Sequence, residues 1–124
     1  MLHNYRRFLG RPFQPPHGCF RLVAQVFEEE YGVDLSNQDA GLDPTDIEGR
    51  MARLHKCLAE LGREVYRPKE KDVILIRSTP FHIGVVVDEK KMLHSYSGGE
   101  ACIEDFTTGR WRNRVEGFWR YNEW

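Results

Sequence analysis

The sequence predicts an α+β fold: N-terminal helices packed on a mostly antiparallel sheet of about five strands. Three observations carry this. Two apolar stripes at helical spacing fall in the first half of the chain. After Pro68 the apolar residues become continuous or alternate, as strands require. Helices therefore come first and strands later, which argues against a βαβ repeat. The 124 residues suit one domain spanning 1–124. Such a chain buries roughly two-thirds of its unfolded surface and needs no disulfide staples.

A short N-terminal segment ends in a stiff turn, Pro12 to Pro16. In FRLVAQVFEEEYG, residues Leu22, Val23, Val26 and Phe27 give a buried helix face, Glu28 to Glu30 a wet one, and Gly32 a stop. A polar loop covers Ser36 to Leu42. Asp43 and Pro44 open a second helix as cap and first-turn residue. Its stripe is Ile47, Met51, Leu54, Leu58 and Leu61, closed by Gly62. VILIR (73–77) is a continuous β-branched strand. HIGVVVD (82–88) and KMLHSY (91–96) form a hairpin with a short charged turn. Ala101 to Phe106 is a further strand, and VEGFWRY (115–121) the last.

Composition excludes several classes. Apolar residues make up 40% and charged residues 30%, with a net charge of −1, so charge alone favours neither nucleic acid nor an anionic membrane. Cys19, Cys57 and Cys102 are an odd set without regular spacing, which fits synthesis in a reducing compartment. The N-terminus has no signal-peptide core, and no stretch approaches a membrane span. The expectation is cytoplasmic synthesis, with delivery elsewhere left to another agent.

Cys19 opens the first helix. A thiol there meets the positive end of the helix dipole and unsatisfied N–H groups, which favour the thiolate and suit a developing oxyanion. It is in register with Leu22, Val23 and Val26, so its sulfur is expected to face the sheet. His82, Gly84 and Val86 share a strand face. With a three-residue loop, Asp88 to Lys90, Val87 pairs with Lys91 and Gly84 lies opposite His94. His82 and His94 then become diagonal neighbours, with Gly84 leaving room between them. An even-numbered loop would send the two rings to opposite faces. A nucleophile, a base and a group that orients the base make a generalised triad: Cys19, His82 and His94.

These residues resemble the NlpC-type cell-wall peptidases, which have a papain-like fold and cleave peptides of bacterial peptidoglycan. HGCFRLVAQVFEEEYGVDL is similar to the family's nucleophile helix. PKEKDVILI resembles its Pro-x-x-Gly-Asp lead-in to the sheet. HIGVVVDEKKMLHS resembles its His-apolar-Gly strand, with the second histidine twelve places on. The aromatic Phe20 and the GFWRY ending look most like the phage-tail branch. The resemblance implies an endopeptidase for stem peptides at the γ-D-glutamyl–diamino acid bond, delivered in a phage-tail particle. It implies tail proteins as partners, a monomer on its own, and no cofactor, metal, nucleic acid or membrane. It assigns Phe13, Gly18, Phe20, Arg21 and Phe81 to the substrate groove.

Four positions depart from the family pattern. Gly18 replaces an aspartate, Arg21 a glycine, Phe13 an aromatic that often carries a hydroxyl, and Lys71 the glycine before Asp72. Two other function classes follow. One is an inactive tail or wall-binding protein on the same scaffold; the other is an amidase or acyltransferase with the same triad. Two further signals weigh little. His17, Cys19, His55 and Cys57 lack a zinc-site spacing. Arg110 to Arg114 with Trp111 and Trp119 reads as a solvated turn before the last strand rather than a nucleic-acid surface.

Overall fold

The computed structural model describes residues 5–13, 18–35, 47–78, 81–95 and 99–122. Among the described residues there are two α-helices, α1 (Gly18–Tyr31) and α2 (Ile47–Leu61). The six strands among them are β1 (Gly62–Val65), β2 (Val73–Arg77), β3 (Phe81–Val86), β4 (Lys91–His94), β5 (Cys102–Asp105) and β6 (Val115–Tyr121). Short 3-10 helices cover Tyr5–Phe8 and Gly109–Trp111. All strand pairs are antiparallel, in the order β1-β6-β2-β3-β4-β5. The expected loop at 36–42, the cap at Asp43 and Pro44, and most of the Pro12–Pro16 turn lie outside the described residues. Among the described residues no helix is long and apolar enough to cross a membrane.

The sheet has one strand more than the sequence predicts. Gly62 follows the helix as expected of a stop, but it also begins β1, which pairs with β6 from Gly62↔Tyr121 to Val65↔Phe118. The periodicity hides it for a physical reason. β1 is a short edge strand, and Arg63 and Glu64 are both exposed, so no apolar alternation marks it.

Both faces of the sheet are covered, which explains why Val73 to Ile76 of β2 are all apolar and buried, with only Arg77 at the strand end exposed. Val73, Leu75, Ile83, Val85 and Leu93 pack with Phe20, Val23, Val26 and Phe27 of α1 and Leu54 and Leu58 of α2. Ile74, Ile76, Val86 and Met92 pack on the other side with Phe106 and Trp111 from the β5–β6 connection. Helix α1 ends at Gly32, whose φ of 68° lets the amides of Gly32 and Val33 bond back to Glu28 and Phe27.

The N-terminal segment ties the C-terminal half of α1 to the residue that precedes β5. Gly10 N–H donates to Ala101 O, Ala101 N–H donates to Arg11 O, and Arg11 grips Glu29 through two nitrogens. At the opposite end, Asp72 precedes β2 and is fully buried; it accepts two hydrogen bonds from Arg120 and one from Lys69 N–H.

Lys71, which stands where the family pattern has glycine, has a φ of +79°. That conformation costs a side-chain-bearing residue roughly 1–2 kcal/mol. Its ammonium lies 5.1 Å from the Tyr31 ring centre, a partial compensation. Lys71→Gly is expected to be about 1 kcal/mol more stable than Lys71→Ala, since both lose the ring contact and only Ala keeps the strain. Urea midpoints of the two variants check this.

Candidate active site

The β3–β4 hairpin has the predicted parity. Asp88 Oδ1 accepts the N–H groups of Lys90 and Lys91, closing the loop, and Val87 N–H donates to Lys91 O at 2.8 Å. Gly84 therefore pairs with His94. A Cβ at Gly84 would stand 3.1 Å from His94 Cβ and 2.9 Å from Leu93 O, so glycine gives the histidine its space.

His82 Nε2 lies 2.5 Å from His94 Nδ1, and His94 Nε2 lies 3.0 Å from Glu104 Oε1. Trp111 stacks on His82 at 5.4 Å and 14°, and its indole N–H donates to Glu104 Oε2 at 2.7 Å. Arg110 donates to Glu104 Oε1 at 3.2 Å. Both histidines are buried. Burial, followed by the neighbouring His94, pushes His82 down to about 3, and burial also lowers His94. Burial would raise Glu104, but the Trp111 hydrogen bond, His94 and Arg110 outweigh it and keep the group a carboxylate.

These states fix the tautomers. Glu104 accepts, so His94 carries its one proton on Nε2. His94 Nδ1 must then accept from His82 Nε2–H. His82 Nδ1 is left with a lone pair, which is what a general base needs.

Glu104, Arg110 and Trp111 carry no site signal in the sequence, and Cys102 reads there as structural. In the fold Cys102 pairs with His94 and its sulfur lies 3.7 Å from His94 Nε2. The i, i+2 spacing of Cys102 and Glu104 on a predicted strand is the one signal that could find them. It does not give the register against His94, because the seven residues between β4 and β5 do not fix it.

Cys19 lies in the first turn of α1, half-buried and packed against the helix-side core. Leu22, Val23 and Val26 are buried beside it in the expected register. Strand alternation assigns Ile83 and Val85 to that side, and His82 and His94 to the other. His82 is the second residue of β3, and Ser95, which follows β4, lines a small void with Gly18 and Leu22.

The groove residues separate. Phe20 is 7% exposed and packs within the helix-side core, where it also lines an apolar cavity with Leu54, Leu58 and Ile83. Helical spacing explains it, since Phe20 shares the face of Val23 and Phe27. Arg21 is exposed. The Phe81 side chain and His17 lie outside the described residues. Cys57 is buried, and His55 stands 3.9 Å from Glu116.

Phe13 and Gly18 are coupled. A Cβ at Gly18 would fall 2.5 Å from the Phe13 ring, so the ring fills the space that an aspartate side chain would leave through. Gly18→Ala is expected to destabilise by about 1–3 kcal/mol through overpacking. Adding Phe13→Ala should cost less than the two single changes summed. A double-mutant cycle in urea measures the difference.

No protein-family model matches the sequence, and no curated protein matches it. Among solved structures the chain is similar to a lipoprotein-like protein of the NLP/P60 family from Staphylococcus aureus subsp. aureus Mu50, with a TM-score of 0.60 and 15% identity. The match covers 94% of this chain and 38% of that one. The α+β fold of two helices and a six-stranded antiparallel sheet is thus shared with an NLP/P60-family protein.

Proposed function

We propose that the protein is a cysteine peptidase hydrolysing peptidoglycan stem peptides. Cys19 is the nucleophile, His82 the base and His94 the orienting group, with Glu104 anchoring His94. The observation that carries this reading is the Glu104–His94–His82 chain, which leaves His82 Nδ1 as a proton acceptor. In the reaction Cys19 gives its proton to His82 Nδ1 and attacks the peptide carbonyl. N–H groups of the first turn of α1 hold the oxyanion. The proton passes to the leaving amine, a thioester remains, and water activated by His82 releases the acyl group. The resemblance of the sequence motifs supports a γ-D-glutamyl–diamino acid bond as the target and a phage-tail particle as the vehicle. The exposed guanidinium of Arg21 suits a stem-peptide carboxylate.

Digestion of purified peptidoglycan, read by mass spectrometry, tests the reading. Wild type is expected to release peptide fragments and Cys19→Ala none. Equal product from both would sink the mechanism.

One observation favours a second reading. The histidines sit on the sheet face away from α1, as an inactive wall-binding or tail scaffold would allow. Thiol labelling against pH separates the two: reactivity of Cys19 that depends on His82 supports the enzyme, and the same slow labelling in wild type and His82→Gln supports the scaffold.

A further inference from the structure

We propose that His94 Nε2, Cys102 Sγ and the Glu104 carboxylate form a zinc site, and that its occupancy and the base function of His82 exclude one another. The second half rests on the peptidase reading; the first does not.

The three donor separations are close to the edge lengths of a zinc coordination tetrahedron. With zinc bonds of about 2.0–2.1 Å to nitrogen and oxygen and about 2.3 Å to sulfur, tetrahedral edges are about 3.3 Å for N···O and about 3.5 Å for the edges to sulfur. The observed separations are 3.0 Å for His94 Nε2 to Glu104 Oε1, 3.7 Å for Cys102 Sγ to His94 Nε2, and 3.8 Å for Cys102 Sγ to Glu104 Oε1. Each agrees within about 0.3 Å with the edge it would become. All three donor atoms lie within 4.8 Å of one another. A thiol and an imidazole beside one carboxylate suit zinc rather than magnesium or calcium, which take oxygen. The β4–β5 register sets His94 opposite Cys102, so backbone pairing brings the donor residues together without an ion. Cys102 is half-buried and the Glu104 side chain is 29% exposed, so the ion can arrive from solvent and water can take the fourth corner.

Arg110 is the competing cation at Glu104 Oε1. Its side chain is 52% exposed and can swing outward, while Trp111 keeps its bond to the other carboxylate oxygen. The Cys102 contacts given up are long and weak.

The consequence for His82 follows from proton bookkeeping. Zinc takes the lone pair of His94 Nε2, so that nitrogen cannot keep its proton. A neutral His94 must then carry its proton on Nδ1, which donates to His82 Nε2. His82 in turn holds its own proton on Nδ1. The pair keeps two protons throughout, and the Cys102 thiol releases one to solvent. The acceptor that Cys19 needs has become a donor.

The experiment adds zinc or cobalt ions alone to the purified full chain. Cobalt should bind one to one and give a thiolate charge-transfer band. Cys102→Ser should abolish the band and Cys19→Ala retain it. Glu104→Gln should weaken binding at least tenfold with the thiol intact, and circular dichroism verifies that the variants fold. Zinc should inhibit hydrolysis by wild type at the same stoichiometry, with at least tenfold relief in Cys102→Ser. A band that survives Cys102→Ser, or disappears in Cys19→Ala, overturns the site and assigns the ion to other ligands. Full hydrolysis with zinc bound at Cys102 overturns the exclusion. Cobalt bound at Cys102 in a chain that hydrolyses nothing supports the metal site while removing the peptidase reading.

Discussion

His82→Gln is expected to lower kcat/KM on peptidoglycan peptides by about 10³-fold, the scale of a lost general base. Glutamine keeps much of the volume under Trp111, so the loss reports chemistry rather than collapse. Adding Cys19→Ala should lower the rate little further, because nucleophile and base act on one proton. The same variant has a signature in stability. An unfolded histidine titrates near pH 6.5, at about the ordinary value. Folded His82 is pushed down to about 3 by burial and by His94. Between these values the unfolded chain binds a proton that the folded chain refuses. Stability is therefore full above about pH 6.5 and is lost progressively as pH falls towards about 3. Replacing His82 removes this proton uptake. Thermal melts from pH 7 to pH 4 should show a steep loss in wild type and a shallower one in His82→Gln. Equal slopes would mean that His82 is not held neutral by the fold.

Much of this site is legible in the sequence. The hairpin parity follows from a loop of Asp88 to Lys90, and parity alone brings His82 and His94 to one face, with Gly84 opposite the second ring. What is not legible comes from further along the chain. Glu104 and Cys102 join through the β4–β5 register, which no local pattern encodes. Trp111 reads as part of a solvated turn because its neighbours Arg110 and Arg112 are charged; its indole nevertheless lies flat on His82 and is 6% exposed. Fold class is robust because it depends on two stripes and several runs. β1 is missed because a four-residue polar edge strand has no stripe to show. The sequence departures at Gly18 and Phe13 look independent in one dimension, but they share one volume in three.

The largest stability effect is expected at the other end of the sheet. Arg120→Met should destabilise by about 3–5 kcal/mol, because it strands a carboxylate in a place water does not reach. Asp72 is 0% exposed and takes two hydrogen bonds from Arg120, both 2.9 Å, against one from the backbone at Lys69. A domain of this size has only about 5–15 kcal/mol in total, so the melting temperature should fall by roughly 10 °C or more. Arg120→Lys should recover part of the loss, since an ammonium supplies charge but not the paired fork. Arg120→Met with Asp72→Ala should cost less than the sum of the single changes, because the stranded charge is gone. The effect reaches the site through the backbone. Asp72 O accepts from Val86 N–H, and Lys71 N–H donates to Val86 O, so this ion pair holds the far end of the strand that carries His82. Peptidoglycan digestion by Arg120→Lys at a temperature where it stays folded should therefore keep the wild-type bond specificity while losing heat tolerance. A variant that melts as wild type does would show that the buried pair is not what fixes β2 against β6.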